Sequence, residues 1–561
     1  MRFLPLLRLP RPLALRPLYS RTMATKTIAV LNDADLKDGQ MKEVEFESGK
    51  VLVSRLGDKL HATSAFCTHY GAPLAKGVLT SDGRVVCPWH GACFNICTGD
   101  IEDAPAPTAI HSFKAEVKDG KIYVSADPAK TTKDEMSRPS KLLSTGTEGT
   151  GKGVVIIGGG SATFHAIESL REHGYPHPIT VVSKEPHMPI DRTKLSKALI
   201  TDASKLEWRN ASDLKIRYNT NFRVGTTASS INFAYKSVTL EGGETIEYDK
   251  LIIATGGQPK VLPLEGAKSE NVYTLRGVED AKKIDAAAQE GKKMVVIGSS
   301  FIGMEVVGAV AKRKLASIDV ISTEEVPFQA VLGKEVGAGL KKYYEGQGAK
   351  FHMHADIAKI ETTDGKASAV VLKSGESFPA DFVLMAVGVA PATEILKKSN
   401  VPLEEDGCVK VDEYLKVPGL EEVYAIGDIA MYPYKGEYRR IEHWNVAGNH
   451  GRAVGKTIAG SPQPFEKVPI FWSGQGVRYC GLGAKFEEVI VQGDPSSKFV
   501  AYYVKGGKIV AVASMKTDPV VSHCSELLRL ELMPTPEEIK AGKDILSVDI
   551  STVGSRAQVG A

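Results

Sequence analysis

The sequence predicts an α/β protein of several domains with a small all-β domain in front of it, and three observations carry that prediction. Residues 26 to 126 run in short β-rich stretches, Val44 to Phe46, Val51 to Leu56, Val85-Val86 and Ile122 to Val124, parted by Gly and Asp turns. Residues 127 to 152 are rich in Lys, Thr, Ser and Gly and hold no aromatic residue, a composition that cannot assemble a core. From Gly153 onward apolar strands alternate with helical segments, as doubly wound sheets require. A chain of 561 residues has room for roughly three or four such units, each with its own core.

The opening segment stands apart. Up to Thr22 it carries Arg2, Arg8, Arg11, Arg16 and Arg21, many Leu and no acid, and the first acidic residue is Asp33. Residues 1–25 therefore resemble a mitochondrial transit peptide, although Pro5, Pro10, Pro12 and Pro17 interrupt any helix there. Translation from Met23 would skip the segment and leave a cytoplasmic chain. Without those five arginines the formal charge falls from +3 to −2, so no nucleic-acid partner is expected. No membrane span is expected either, because the most apolar stretch, Met294 to Ala311, contains Gly298, Gly303, Gly308 and Glu305. Seven Cys do not make a secreted disulfide framework.

Within the β-domain, Cys67-Thr68-His69 is followed seventeen residues later by Cys87-Pro88-Trp89-His90. Each loop offers one thiolate and one imidazole. Zinc fingers pair their Cys first and their His afterwards, whereas a two-iron two-sulfur centre held by two Cys on one iron and two His on the other can take one of each from each loop. The interleaved order favours Cys67, His69, Cys87 and His90 as cluster ligands over a zinc site. The flanks, Tyr70-Gly71-Ala72-Pro73-Leu74 and Gly91-Ala92-Cys93-Phe94, then Thr98-Gly99-Asp100, resemble the Rieske family. High-potential members of that family carry a further Cys in each loop and a Ser that donates to the cluster; Ala72, Trp89 and Ala92 stand in those places. That resemblance implies a potential at the low end of the Rieske range, near about −150 mV. Cys93 and Cys97 read as packing residues.

Two strand–turn–helix units follow. Val154 to Ile157, the turn Gly158-Gly159-Gly160-Ser161-Ala162-Thr163 and the helix from Phe164 form the first, and a pyrophosphate can sit on that helix N-terminus. Thr163 replaces the usual third small residue. The strand Ile179 to Val182 ends near Glu185, placed to take ribose hydroxyls. The second unit starts at Met294, with Gly298 and Gly303 around Ser300; its following strand ends at Ser322, and Glu324 is the nearest acid. Lys312-Arg313-Lys314 reads as a solvated helix end that could assist NADPH.

Asp191-Arg192-Thr193-Lys194-Leu195-Ser196-Lys197, Ala254-Thr255-Gly256, Ala386-Val387-Gly388, Ala425-Ile426-Gly427-Asp428 and Phe471-Trp472-Ser473 are collinear with the motifs of FAD-dependent pyridine nucleotide oxidoreductases of the ferredoxin-reductase type. With the β-domain in front, the chain resembles the Rieske-bearing branch of the apoptosis-inducing-factor-like oxidoreductases. The resemblance implies two interleaved Rossmann-like domains and a small α+β domain behind them. Its expected boundaries are a Rieske domain at 26–126, a linker at 127–152, an FAD domain at 153–285 and 400–465, an NAD(P)H domain at 286–399 and a C-terminal domain at 466–561. It further implies that Asp428 binds the ribityl chain, that Arg192 meets the cofactor's phosphate or ring edge, and that Lys197 stands near flavin N5 paired with Glu305. Trp472 would stack at the isoalloxazine and Trp444 on the nicotinamide side, while Gly158, Gly160, Glu185, the 254–256 turn, Gly298, Gly303 and Gly388 would cradle the cofactors.

These readings converge on an NAD(P)H oxidoreductase. Hydride would pass from NADH or NADPH to FAD, and single electrons through the two-iron two-sulfur cluster to an acceptor, protein or quinone, that no short motif identifies. No Cys lies between Cys97 and Cys408, so the redox-active Cys pair that disulfide reductases of this family carry is missing. The alternatives are a redox sensor whose assembly answers to nucleotide, or an apoptosis-related signalling flavoprotein; a homodimer is left open.

Overall fold

The computed structural model describes residues 25–399 and 401–550, so the transit-peptide reading and Met23 lie outside the described residues. The N-terminal β-domain has a six-stranded antiparallel sheet in the order Lys26–Asn32, Lys121–Ala126, Ser112–Lys118, Lys59–Ser64, Gly49–Leu56, Met41–Phe46. Alternation decides its faces: in Lys121–Ala126, Ile122, Val124 and Ala126 point into the core while the residues between them are more exposed. A second sheet, Val78–Leu79, Arg84–Val86, Cys93–Asn95 and Ile101–Asp103, carries one of the two ligand loops between its second and third strands.

The first nucleotide module is a parallel sheet in the order Thr220–Arg223, Ile179–Val182, Val154–Ile157, Lys250–Ile253, Val423–Ala425. Val154–Ile157 is buried along its whole length, as a central parallel strand covered on both faces must be. Its two neighbours are the next strand in sequence on one side and Lys250–Ile253 on the other. The chain order therefore reverses at its carboxyl end, where such sheets open a ligand crevice. The second module repeats this arrangement: Ala349–His352, Ser317–Ile321, Lys293–Ile297, Phe382–Met385, Val272–Tyr273. Its edge strand corrects a boundary. Val272 pairs with Val383, so the segment through the helix Val278–Ala287 belongs with the second module rather than with residues 153–285. A two-residue edge strand has too little periodicity to be read from sequence. Residues 470 to 515 form a five-stranded antiparallel sheet on which the helix Val520–Leu530 packs.

The segment 127–152 departs from the free tether its composition suggests. Ser137-Arg138 pairs with Ala109-Ile110, and the Thr131 hydroxyl bonds the carbonyl of Phe46. Arg138 donates to the carbonyl of Thr98 and the carboxylate of Asp100. Further on, Leu143 N–H bonds the carbonyl of Arg171, and Leu142 packs on the core of the first nucleotide module. The segment makes no core of its own; it lies along those of its neighbours.

The β-domain is docked, not merely attached. Val78, Val86 and Cys93 share one apolar cluster with Val468, Ile470, Cys480 and Val512 of the C-terminal domain. Arg452, 3% exposed, donates to the carbonyls of Ile101 and Glu102, and the Asn449 side chain accepts from Ala104 N–H at 2.9 Å. Arg478 Nε reaches the carbonyl of Trp89 at 2.7 Å, and Ser522 Oγ that of Cys87 at 2.9 Å.

Candidate functional site

The two ligand loops have the same backbone. Cys67 N–H bonds the carbonyl of Ala72, and Gly71 N–H that of Cys67; Cys87 N–H bonds the carbonyl of Ala92, and Gly91 N–H that of Cys87. Gly71 and Gly91 both take positive φ, 73° and 70°, which closes each turn and which other residues adopt only at a cost. A side chain at Gly91 would also meet Ile470 at 2.6 Å, so the second loop is pressed against the C-terminal domain.

The loops bring Cys67, Cys87, His69 and His90 together as two pairs. The histidines face each other through Nδ1 at 3.1 Å, and both thiols are buried and interact with each other. Among the described residues no three His, Cys, Asp or Glu side chains converge on one point, as a mononuclear zinc site would need. A sulfur pair beside a nitrogen pair is the donor set of a two-iron centre, and the residues fit it. Burial holds His69 down at about 4 against the opposing pull of Asp191, and lowers His90 as well, so both imidazoles are neutral and able to ligate. Burial and the neighbouring Cys87 push the Cys67 thiol up. For Cys87 burial is outweighed by hydrogen bonds from Cys67 and from the N–H groups of Trp89 and His90, so its thiol is the one pulled down.

The histidine edge points into the rest of the molecule. His90 lies 4.5 Å from the ring of Trp472, and His69 lies 6.4 Å from Trp444 and 6.3 Å from Trp208. Trp444 thus stands beside the cluster ligand His69. It opens the helix Trp444–Ile458, which packs along Ser161–Glu172 and directs its first residue at the β-domain. Two residues beyond Trp472, Gly474 N–H donates to Glu305 Oε1 at 2.8 Å. Lys197 Nζ sits 3.0 Å from the same oxygen, and Ser196 Oγ donates to Glu305 Oε2. Glu305 is 7% exposed and held by three donors, so the short helices Thr193–Ala198 and Phe301–Val310 meet at a fixed charge pair.

Arg192 Nη2 donates to both carboxylate oxygens of Glu185, at 2.7 and 2.6 Å. Burial would raise the Glu185 carboxyl, and Arg192 brings it below its usual range. Asp428 pairs with Arg276 at 3.3 Å, a residue the sequence reading missed; a lone Arg between a two-residue strand and a Gly N-cap carries no motif. At the first turn, a Cβ on Gly158 would meet the carbonyl of Ala254 at 2.1 Å, so the two segments touch backbone to backbone. Thr163 fits because its hydroxyl donates to the carbonyl of Gly158 at 2.7 Å. Gly160 has open space before it at the start of Ser161–Glu172. In the second module Gly298 takes φ of 99°, and Gly303 packs against Ala386 and the carbonyl of Gly298. Gly388 takes φ of 101° near Lys260. Ser322 Oγ accepts from Glu324 N–H, and Arg313 is spent on the carboxylate of Asp285 at 2.7 Å.

Buried polar side chains almost always find a partner. The hydroxyls of Ser183, Thr255 and Ser299 and the amide of Gln475 are buried without one in the protein, and all four lie on the nucleotide-facing segments. Bound dinucleotides would satisfy these four groups, so the segments fit the cofactors.

Residues 152–451 match the family of pyridine nucleotide-disulphide oxidoreductases, and residues 26–114 match the Rieske [2Fe-2S] domain. The chain is 37% identical over 500 residues to human (Homo sapiens) apoptosis-inducing factor 3, covering 87% of this chain and 81% of that protein. A ferredoxin reductase for the CYP199A2 system from Rhodopseudomonas palustris superposes with a TM-score of 0.66 at 28% identity, over 71% of this chain and 98% of that one. The covalent putidaredoxin reductase–putidaredoxin complex gives 0.64 at 26% identity, over 67% and 92%.

Proposed function

Because the chain belongs to the pyridine nucleotide-disulphide oxidoreductases and carries a Rieske domain, we propose that it takes hydride from NAD(P)H and passes electrons one at a time through its own cluster to an acceptor. FAD, when bound, supplies the conversion of an electron pair into single electrons, and the cluster conducts them. The observation that carries the reading is the inward direction of His69 and His90, with Trp472 against His90 and Gly474 against Glu305 on one short segment. The cluster domain thus occupies the reductase as a built-in partner. A ferredoxin-like acceptor is the kind of partner that the putidaredoxin reductase complex suggests for the next step.

Each residue has a separate task in this reading. Cys67 and Cys87 would hold one iron of the cluster, and His69 and His90 the other. Lys197 would present its ammonium to the flavin ring, and Glu305, itself held by Ser196 Oγ and Gly474 N–H, fixes that ammonium in place. Gly158, Gly160 and the 254–256 turn accept the FAD pyrophosphate, Glu185 with Arg192 and Asp428 with Arg276 clamp its polar parts, and Gly298, Gly303 and Gly388 do the same for the nicotinamide cofactor. The arginine-rich first 22 residues support a mitochondrial location.

The purified protein should contain two irons and acid-labile sulfide with FAD. Replacing His69 or His90 by Ala should remove the cluster's EPR signal while the flavin band stays. Stoichiometric zinc without sulfide would refute the reading. Ser322 neither repels a 2′-phosphate nor binds one, and Arg313 is engaged elsewhere, so NADH should be preferred to NADPH by less than about tenfold in kcat/KM. Steady-state assays with both cofactors decide it, and a preference of several hundredfold would mean another group reads the ribose.

A further inference from the structure

Tyr70 follows the ligand His69 directly, and its ring stacks on that imidazole with centroids 3.9 Å apart and planes at 16°. Its hydroxyl leaves the cluster domain and donates to Asp191 Oδ2 of the flavin-side segment. Asp191 is 0% exposed; its other oxygen accepts from Thr193 Oγ1 at 2.6 Å and from Thr193 N–H at 3.2 Å. A carboxylate with that many donors is held in one place. Two cations stand near it. Lys194 is 3.8 Å from Asp191 and 5.0 Å from the Tyr70 ring, but a third of its side chain is in solvent, and Lys197 is committed to Glu305. Water screens the partly exposed ammonium far more than the buried carboxylate.

We infer that Asp191 sets the reduction potential of the cluster, with Tyr70 holding that charge beside the ligand His69. The inference rests on the reading of His69 and its three companions as cluster ligands. Reduction adds one electron to the cluster, so a fixed negative charge nearby disfavours the reduced state. Tyr70 passes the effect on to the ligand, because a hydroxyl that donates outward to the carboxylate turns its oxygen, the negative end of its dipole, toward the cluster side. Loop and flavin segment are thereby tuned to one another across 121 residues of sequence.

The test is an EPR-monitored redox titration of the full-length holoenzyme at fixed pH. Asp191→Asn keeps the shape and removes the charge, and should shift the cluster's reduction equilibrium about tenfold toward the reduced form, about 59 mV for one electron. Tyr70→Phe removes only the hydroxyl and should shift it about threefold the same way. The double variant should behave like Asp191→Asn alone, since without the charge nothing holds the hydroxyl dipole in its outward orientation. The g-values should stay those of the parent in all three. A cluster midpoint unmoved in Asp191→Asn, or a flavin midpoint moving by the same factor, overturns the inference. Should Asp191→Asn not load its cluster, the direction of the Tyr70→Phe shift decides alone. Absence of any cluster signal in the parent protein would instead defeat the ligand reading.

Discussion

Removal of residues 1–150 yields a reductase that loses thermal stability and releases its flavin, rather than an independent enzyme freed from an appendage. The interface is built from directed bonds: Arg452 to Ile101 and Glu102, Asn449 to Ala104, Arg478 to Trp89, Ser522 to Cys87, and Arg209 to the carbonyl of Pro107 at 2.6 Å. At about 0.5–1.5 kcal/mol net each, half a dozen such bonds rival the whole stability of a domain, about 5–15 kcal/mol. The truncation also bares Val468 and Ile470, which share a core with Val78 and Val86, and an apolar patch of that kind promotes aggregation. Thermal unfolding followed by circular dichroism, with flavin release followed by fluorescence, measures the effect. A truncated chain that unfolds at the parent's midpoint with its flavin in place would show the docked interface to be energetically idle.

Glu305→Ala slows reduction of the flavin by NADH by a factor on the order of 10² to 10³, the usual loss when one charge-stabilising group is removed from a water-poor site. The carboxylate gathers three donors, so its removal frees Lys197 Nζ, Ser196 Oγ and Gly474 N–H together. An ammonium without its counter-charge turns toward solvent, and the ring loses a fixed cation. Glu305→Asp should recover part of the rate, because the charge survives while its reach shortens. Anaerobic stopped-flow bleaching of the flavin separates this step from everything downstream. A rate within twofold of the parent's in Glu305→Ala would reduce the pair to a structural ion pair.

What the sequence made legible is local. Cys67, His69, Cys87 and His90 could be read because ligand type and order are themselves the chemistry, and the nucleotide turns because close backbone approach leaves its mark as glycine. Lys197 and Glu305 lie 108 positions apart, and only motif order pointed to their meeting, which the structure brings about at 3.0 Å. The path of the linker 127–152 was not legible, because composition reports whether a stretch can form its own core, not whether it lies along another. Thr131 and Leu142 anchor it through groups that look like ordinary linker residues. The neighbourhood of Trp444 beside His69 was not legible for a similar reason: its helix was evident, but the direction of that helix is set by packing on Ser161–Glu172. Asp191 and Tyr70 could not have been paired, since a single hydrogen bond across a domain boundary has no periodicity and no spacing rule.

The chain has four tryptophans, and every one of them lies within the ring cluster around the two histidines: Trp89 and Trp472 against His90, Trp208 and Trp444 against His69 and each other. Indole emission overlaps the visible absorption of flavins and iron–sulfur centres, and energy transfer weakens with the sixth power of distance. The protein therefore carries its own optical gauge of assembly. In the fully loaded state its intrinsic fluorescence should be almost dark, and it should brighten when the iron is stripped, when the flavin leaves, or when the front domain lifts away. No label needs to be attached to watch any of these events.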